Sequence, residues 1–188
     1  MTGTIFPLFG IALLLSAMTG TTTLGAVKAQ PIDAGPQQHA IHDDSSPSPL
    51  VKQVREATAI FQETIPADYQ QFLGCVSGPE EGAMGVHFVN SALVDGKLDV
   101  KAPEALIYEV MDGRARLVGV EYIVPVAAWT PAEGEAPVPV LEGQVFHLNE
   151  SPNRFGLPAF YELHVWAWRD NPKGVFADWN TRVSCEGR

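Results

Sequence analysis

The sequence predicts an α+β domain in which one N-terminal helix packs on a curved antiparallel sheet or open β-barrel. Two observations predict this fold. Apolar residues recur every three or four positions in the segment 50–65, which is the spacing of one helix face. After Cys75, short apolar runs alternate with turns rich in Gly, Pro and Asp, a pattern typical of consecutive strands. A helix followed by a run of strands favours a helix laid on a sheet.

The helix is expected to begin at Ser48 and Pro49, which suit the cap and the first turn. Pro66 then ends this helix or opens a short second one that runs to Leu73 and stops at Gly74. The apolar stripe of the helix consists of Val54, Ala57, Phe61 and Ile65.

The strands are expected in five segments, and two of them form a clear hairpin. Asp112-Gly113 separates the second and third segments and is the strongest short-range hairpin signal. The five segments are 85–90, 104–111, 114–126, 143–149 and 159–168.

The hairpin also predicts a register. If Asp112 and Gly113 form a two-residue loop, Glu109 faces Arg116, and continuing the ladder places Glu104 opposite Glu121. Two facing carboxylates repel unless a proton or a cation joins them. Glu104 and Glu121 are therefore candidates for an acid–base pair or for metal ligands. The alternative is that the ladder frays before Glu104 and leaves it in solvent.

One face of the last predicted strand resembles the wall of a ligand pocket. Side chains alternate along a strand, so Leu163 and Val165 point to an ordinary core. The other face carries a carboxylate, an imidazole and two indoles, which suit a small-molecule pocket. These residues are Glu162, His164, Trp166 and Trp168.

The same alternation suggests a metal centre. If the faces of several strands converge, His87, Glu121 and His164 form a set of two histidines and one carboxylate, with Glu104 and His147 as additions. Such a set suits a divalent transition metal ion of iron, manganese or zinc. Two alternatives stay open: each histidine is a hydrogen-bonded core residue, or a neutral imidazole acts as a general base.

Two regions precede the domain. Residues 1–29 read as a signal peptide, because the apolar stretch 5–18 is short and interrupted and 27–29 (VKA) suits cleavage before Gln30. An uncleaved membrane anchor is the alternative. Residues 30–48 are polar and rich in Pro and Ser, which predicts a disordered leader. Residues 49–188 then form a single α+β domain, and no later apolar run is long enough for membrane insertion.

Charge and cysteine content constrain the partners and the compartment. Loss of the signal peptide removes one lysine, which leaves 11 basic and 22 acidic residues and a net charge of −11. This balance argues against nucleic acid as a partner, because phosphate binding needs clustered Lys and Arg. Cys75 and Cys185 are the only cysteines, and in an exported chain they are expected to form a disulfide. Free thiols or a shared metal site are the alternatives.

Several blocks resemble a family of small exported bacterial proteins that are uncharacterised. The resemblance covers nearly the whole mature domain and implies a bacterial source, hence a periplasmic or secreted location. It implies no catalytic residues, because no activity is established for that family. The blocks are MGVH (84–87), PEALIYE (103–109), LVGVEY (117–122) and LHVWAWRDNP (163–172).

Two function classes remain after these observations. The sequence contains no GxSxG elbow, no P-loop, no GxGxxG and no CxxCH, which excludes several common enzyme and cofactor classes. The first class is a small-ligand-binding or structural domain of the cell envelope, preferred because no motif demands chemistry. The alternative is a small metal-dependent or acid–base enzyme that uses the His/Glu cluster.

Overall fold

One α-helix opens the part of the chain that the computed structural model describes, which is residues 47–78, 80–129 and 137–186. Helix α1 spans Pro49–Thr58 and continues as a 3₁₀ turn, Ala59–Phe61. The Oγ atom of Ser48 accepts a hydrogen bond from the Val51 amide at 3.3 Å, so the predicted cap is confirmed. The predicted signal peptide (1–29) lies outside the described residues, as does the predicted leader (30–48) except its last two residues.

The cap at Ser48 makes a testable contribution to stability. Replacing Ser48 with Ala leaves an orphan amide at the start of α1, and we expect the free energy of unfolding to fall by about 1 kcal/mol. Urea denaturation followed by circular dichroism measures the change. Ser91→Ala, at an exposed position, is the control and should leave the unfolding midpoint unchanged. Equal midpoints for both variants would contradict the capping role.

The segment after the helix is a strand, so the predicted short second helix is wrong. Strand β1 spans Gln70–Gly78 and pairs antiparallel with β2, from Gln70 opposite Val89 to Gly78 opposite Gly82. Pairing with a neighbouring strand supplies partners for the backbone groups, and this tertiary gain overrides the local helical signal. Cys75 consequently lies inside the first strand and not before it.

The remaining strands follow the predicted order and form a strongly curled, half-barrel antiparallel sheet, as predicted. Among the described residues the main sheet has six strands in the order β1-β2-β3-β4-β8-β7. A separate two-stranded ribbon pairs β5 with β6. The bounds are β2 Gly82–Val89, β3 Ala105–Met111, β4 Arg114–Pro125, β5 Val140–Leu141, β6 Gln144–Val145, β7 His147–Asn149 and β8 Phe160–Val165.

The predicted hairpin is correct near its turn and wrong beyond a β-bulge. Glu109 pairs with Arg116, as expected, and Tyr108 pairs with Leu117. Ile107 then pairs with Gly119, so Val118 is an extra residue in β4. A shift of one residue exchanges the faces of every later pair. Ala105, and not Glu104, therefore lies opposite Glu121.

The two faces of the sheet carry different residues. On one face, α1 packs with Leu50, Val51 and Val54 into the main apolar core. The sheet residues of this core include Leu106, Tyr108, Val120, Tyr122, Leu163 and Val165. The opposite face carries a smaller apolar cluster of Ala83, Ile107, Val118, Trp166 and Val183. Strand alternation places His87, Glu121 and His164 on this second face as well.

A disulfide joins Cys75 and Cys185 across a sequence separation of 110 residues, as predicted. It ties the edge strand β1 to the segment that follows the last strand. Among the described residues, no helix is both long and apolar enough to span a membrane.

Candidate metal centre

Three strands contribute one potential metal ligand each to the same face of the sheet. His87 lies in β2, Glu121 in β4 and His164 in β8. Glu121 and His164 are directly opposite each other in the β4–β8 ladder. His87 is two strands away from Glu121, since β3 lies between β2 and β4. The predicted set of two histidines and one carboxylate is therefore brought together by the sheet.

The donor atoms of these residues converge. Nε2 of His87 lies 3.3 Å from Oε2 of Glu121 and 3.5 Å from Nε2 of His164, and one ligand atom from each residue falls within 4.8 Å of the others. Ligands bonded at about 2.1 Å in tetrahedral or octahedral geometry lie roughly 3.0–3.4 Å apart. The spacing thus needs only small adjustments to surround one ion.

The two imidazoles approach each other although their strands are not neighbours. Strands β2 and β8 are three strands apart, which corresponds to about 14 Å in a flat sheet. The main sheet is strongly curled, and this curl shortens the distance between side chains on its concave face. Ala105, opposite both Val89 and Glu121, is the small β3 residue on the same face.

Burial holds both histidines in the neutral form that binds metals. His87 is 9% exposed and His164 is 1% exposed. Burial lowers the pKa of His87 to about 4. It also lowers the pKa of His164 well below the ordinary value of 6.5, and the neighbouring His87 and His147 contribute in the same direction. A protonated imidazole cannot bind a metal ion, so this environment favours coordination.

The carboxylates of the centre are buried side by side. Burial raises the pKa of Glu121 well above 4.5, and the contact with Glu162 raises it further. Burial also raises the pKa of Glu162, which is 4% exposed, against the opposing effect of its hydrogen bonds to Glu121 and Asn149. Ionisation of both neighbouring carboxyl groups costs free energy unless a cation lies beside them. A divalent ion would supply the missing positive charge.

Asp178 connects the centre to the surface. Its Oδ1 atom lies 3.0 Å from Nδ1 of His147 and 3.8 Å from Nδ1 of His164. Within the described part of the chain, no hydrogen-bond partner reaches the buried Nδ1 of His164. A carboxylate near the distal nitrogen of a metal-bound histidine commonly orients the ring. Glu162, His164 and Asp178 also form a second group of three close donor atoms.

A pocket opens over the centre, with mostly apolar walls. Nine of its thirteen lining residues are apolar, and the polar ones are His87, Glu121, Glu162 and His164. The space between these residues, including the part that is open to solvent, is about 450 Å³. The apolar residues from β1 are Phe72, Leu73 and Val76, and those from the segment before β8 and from its first residue are Phe155, Leu157 and Phe160.

The four residues of the predicted pocket wall are divided between two places in the structure. Glu162 and His164 line the pocket, whereas Trp166 and Trp168 line a separate cleft beside α1. The Trp168 indole donates a hydrogen bond to the hydroxyl of Thr58 in α1, on the opposite side of the sheet. The reason is that β8 ends at Val165, so alternation does not extend to Trp168. Trp166 still stacks on the His164 ring, with centroids 6.1 Å apart.

The predicted places of Glu104 and His147 differ from the observed ones. The bulge at Val118 moves Glu121 to the other face, whereas Glu104 stays on the helix-side face with Leu106, where its carboxylate accepts a hydrogen bond from the Ile123 amide. It is not part of either group of close donor atoms among the described residues. His147 is exposed and contacts Asp178, which is in turn the neighbour of His164.

Sequence reasoning missed Asp178 and the apolar walls. Asp178 stands in a turn-rich segment with no periodic pattern, so nothing local marks it as a neighbour of His164. Phe72 and Leu73 stand in the segment for which a short second helix is one of two expectations, and Phe155 and Leu157 lie between strands. Compared with protein-family models, curated proteins and solved structures, the chain gives no match.

Proposed function

We propose that this protein is an exported metal-dependent enzyme whose divalent transition metal ion is held by His87, Glu121 and His164. The observation that carries the proposal is the convergence of three donor atoms, at 3.3 and 3.5 Å, on the polar side of a pocket. The metal would act as a Lewis acid toward a small molecule that enters this pocket.

The number of ligands supports catalysis over a structural role. Structural zinc sites are closed by four protein ligands, whereas catalytic sites keep at least one position for water or substrate. Here three ligands share one face of the sheet, and the pocket lies on their free side. Asp178, whose Oδ1 lies 3.8 Å from the distal nitrogen of His164, would form the outer contact that active metal sites use if it moved within hydrogen-bond distance.

Export is supported from two sides. The predicted signal peptide covers residues 1–29, and a disulfide joins the ends of the β region. Disulfides persist in oxidising compartments and are rare in the cytosol. The resemblance to exported bacterial proteins gives the periplasm or the medium as the location.

A second candidate is a binding domain of the cell envelope that holds a small ligand without transforming it. The mostly apolar lining of the pocket favours it, because ligand sites are typically apolar with a few polar groups that orient the ligand. Metal content separates the two candidates, since only the first requires a resident ion.

The decisive experiment is metal analysis of the mature protein purified without a His tag. We expect about one transition metal ion per chain after incubation with Zn²⁺, Mn²⁺ or Fe²⁺ and removal of excess. His164→Ala and Glu121→Gln should each reduce the metal affinity by at least about tenfold, because each removes one of three ligands. Circular dichroism checks that the variants remain folded.

Glu104→Gln is the matched control for Glu121→Gln. Glu104 is as buried as Glu121, at 1% against 5% exposed, but it lies on the other face of the sheet. We expect the metal affinity of the Glu104→Gln variant to equal that of the wild type. A metal-free wild-type protein, or equal loss of metal in the Glu104 and Glu121 variants, would refute the proposed centre and favour the binding domain.

A further inference from the structure

We infer that the molecule bound at this centre has an apolar body and a single anionic oxygen-donor head. This inference rests on the proposed function and specifies its ligand class. The argument starts from the separation of polar and apolar residues around the pocket. The four polar residues, His87, Glu121, Glu162 and His164, all come from the sheet face that holds the candidate ligands.

Apolar side chains line the route to the metal. The three candidate ligands line the pocket, so a molecule in the pocket reaches them past its apolar walls. Its walls there are Phe72, Leu73, Phe155 and Phe160. The rings of Phe155 and Phe160 lie 6.0 Å apart at 60°, a spacing at which aromatic side chains pack on each other. A polar body would lose its hydration against these walls without gaining hydrogen bonds.

Leu73 is an unusual part of this wall. It has a backbone φ of +61°, in the left-handed region that non-glycine residues rarely adopt. The register of β1 with β2 is irregular between Phe72 and Val76, so the strand departs from regular pairing around this residue. Its side chain lines the pocket although it is 48% exposed. Strained residues of this kind cluster at ligand clamps, and covering Leu73 with an apolar body would remove its exposed surface from water.

Charge specifies the head of the ligand. A divalent ion with one bound carboxylate, Glu121, keeps a net positive charge and attracts an anionic oxygen donor. Glu162 and Asp178 lie close to the centre, within 4.8 Å of a nitrogen of His164 through their own oxygens. Their carboxylates disfavour a head with several negative charges. A single anionic group therefore fits best.

Two hydroxamates with the same head and different bodies test this inference. Acetohydroxamate carries a methyl group and benzohydroxamate a phenyl ring. Both are titrated into the Co²⁺-loaded mature protein, and the visible absorption of Co²⁺ reports binding. The affinity of each hydroxamate for the loaded protein is divided by its affinity for free Co²⁺. We expect this ratio to be about tenfold higher for benzohydroxamate than for acetohydroxamate, because the ring buries apolar surface.

Leu73→Asn and Leu148→Asn are the matched variants. Both leucines are 48% exposed, but Leu148 lies on the edge strand β7 and is not part of the pocket lining. Asn tolerates the left-handed backbone of position 73. We expect Leu73→Asn to reduce the preference for benzohydroxamate by about threefold and Leu148→Asn to leave it unchanged.

The outcomes separate this inference from the proposed function. If Co²⁺ binds but the wild type shows no preference for benzohydroxamate, the ligand class is wrong and the metal centre stands. If both asparagine variants reduce the preference equally, the wall at Leu73 plays no part and the inference fails. If Co²⁺ does not bind to the wild type, the proposed function and the inference fail together.

Discussion

Removal of the Cys75–Cys185 disulfide should lower the free energy of unfolding by about 4–5 kcal/mol, on the loop-closure estimate for a loop of this length. The bond closes a loop with a sequence separation of 110 residues. Its loss would release conformational freedom in the unfolded chain. Both cysteines also pack against the smaller apolar cluster around Trp166, so truncation removes some apolar contact as well.

The measurement is equilibrium denaturation of Cys75→Ala/Cys185→Ala beside the wild type. The two single variants are the controls: each breaks the same bond, so each should lose about as much stability as the double variant. Reduction of the wild type should give a similar loss. A loss of less than about 1 kcal/mol in the double variant would show that the loop is already constrained in the unfolded state.

The disulfide also bears on the candidate site. Strand β1 is an edge strand of the main sheet, and three of its residues, Phe72, Leu73 and Val76, line the pocket. Cys75 stands among them and ties the strand to the segment after β8. We therefore expect the reduced protein to retain the metal, whose ligands lie in β2, β4 and β8, and to lose part of its preference for benzohydroxamate.

The contribution of Glu104 to stability should fall as the pH rises from about 5 to about 8, against the opposite contribution of His87 and His164, whose pKa values are lowered. Burial raises its pKa to about 8, and Asp95 and Asp99 contribute in the same direction. Between its ordinary pKa of 4.5 and the folded value, Glu104 binds a proton in the folded state but not in the unfolded state. The unfolded state is then favoured increasingly as protons are removed.

Glu104→Gln should flatten this dependence. The amide oxygen of Gln can still accept the hydrogen bond from the Ile123 amide, and the group does not ionise. We expect the variant to match the wild type near pH 5 and to exceed it at pH 8.5 by an amount on the order of 4 kcal/mol. Denaturation curves at several pH values, with a chelator present so that metal occupancy is constant, measure the difference.

Glu56→Gln, at an exposed position in α1, is the control and should run parallel to the wild type over the whole range. Glu121 and Glu162 also have raised pKa values and contribute to the slope of every variant. Only the difference between Glu104→Gln and the wild type isolates Glu104. Parallel curves for these two proteins would show that Glu104 has the same pKa in both states.

The hairpin illustrates how far local reasoning extends. Asp112-Gly113 predicted the pairs up to Tyr108 and Leu117 correctly, because turn type determines the register of the residues beside it. The bulge at Val118 was not predictable. Val118 lies in an apolar run in which an extra residue looks like any other, and its place in the smaller core cluster is a tertiary contact. One inserted residue in β4 moved Glu121 to the face opposite Glu104.

The candidate site shows the same limit. His87, Glu121 and His164 were identified because alternation along each strand depends on the sequence alone. Their meeting depends on which strands are neighbours and on the strong curl of the assembled sheet. The predicted place of Trp168 beside His164 differs from the observed one because β8 ends at Val165. The chain turns there, and the Trp166 amide donates a hydrogen bond to the carbonyl of Val175.

The sequence by itself determined the class of fold, the order of the elements after Cys75 and the cysteine pair, because period, turn residues and residue counts are local properties. The tertiary structure alone decided the strand status of 70–78, the bulge at Val118 and the contacts of Asp178. Each of these arises from a partner that is distant in the chain. Periodicity carries no information about such partners, since the free energy of pairing and burial belongs to the assembled sheet.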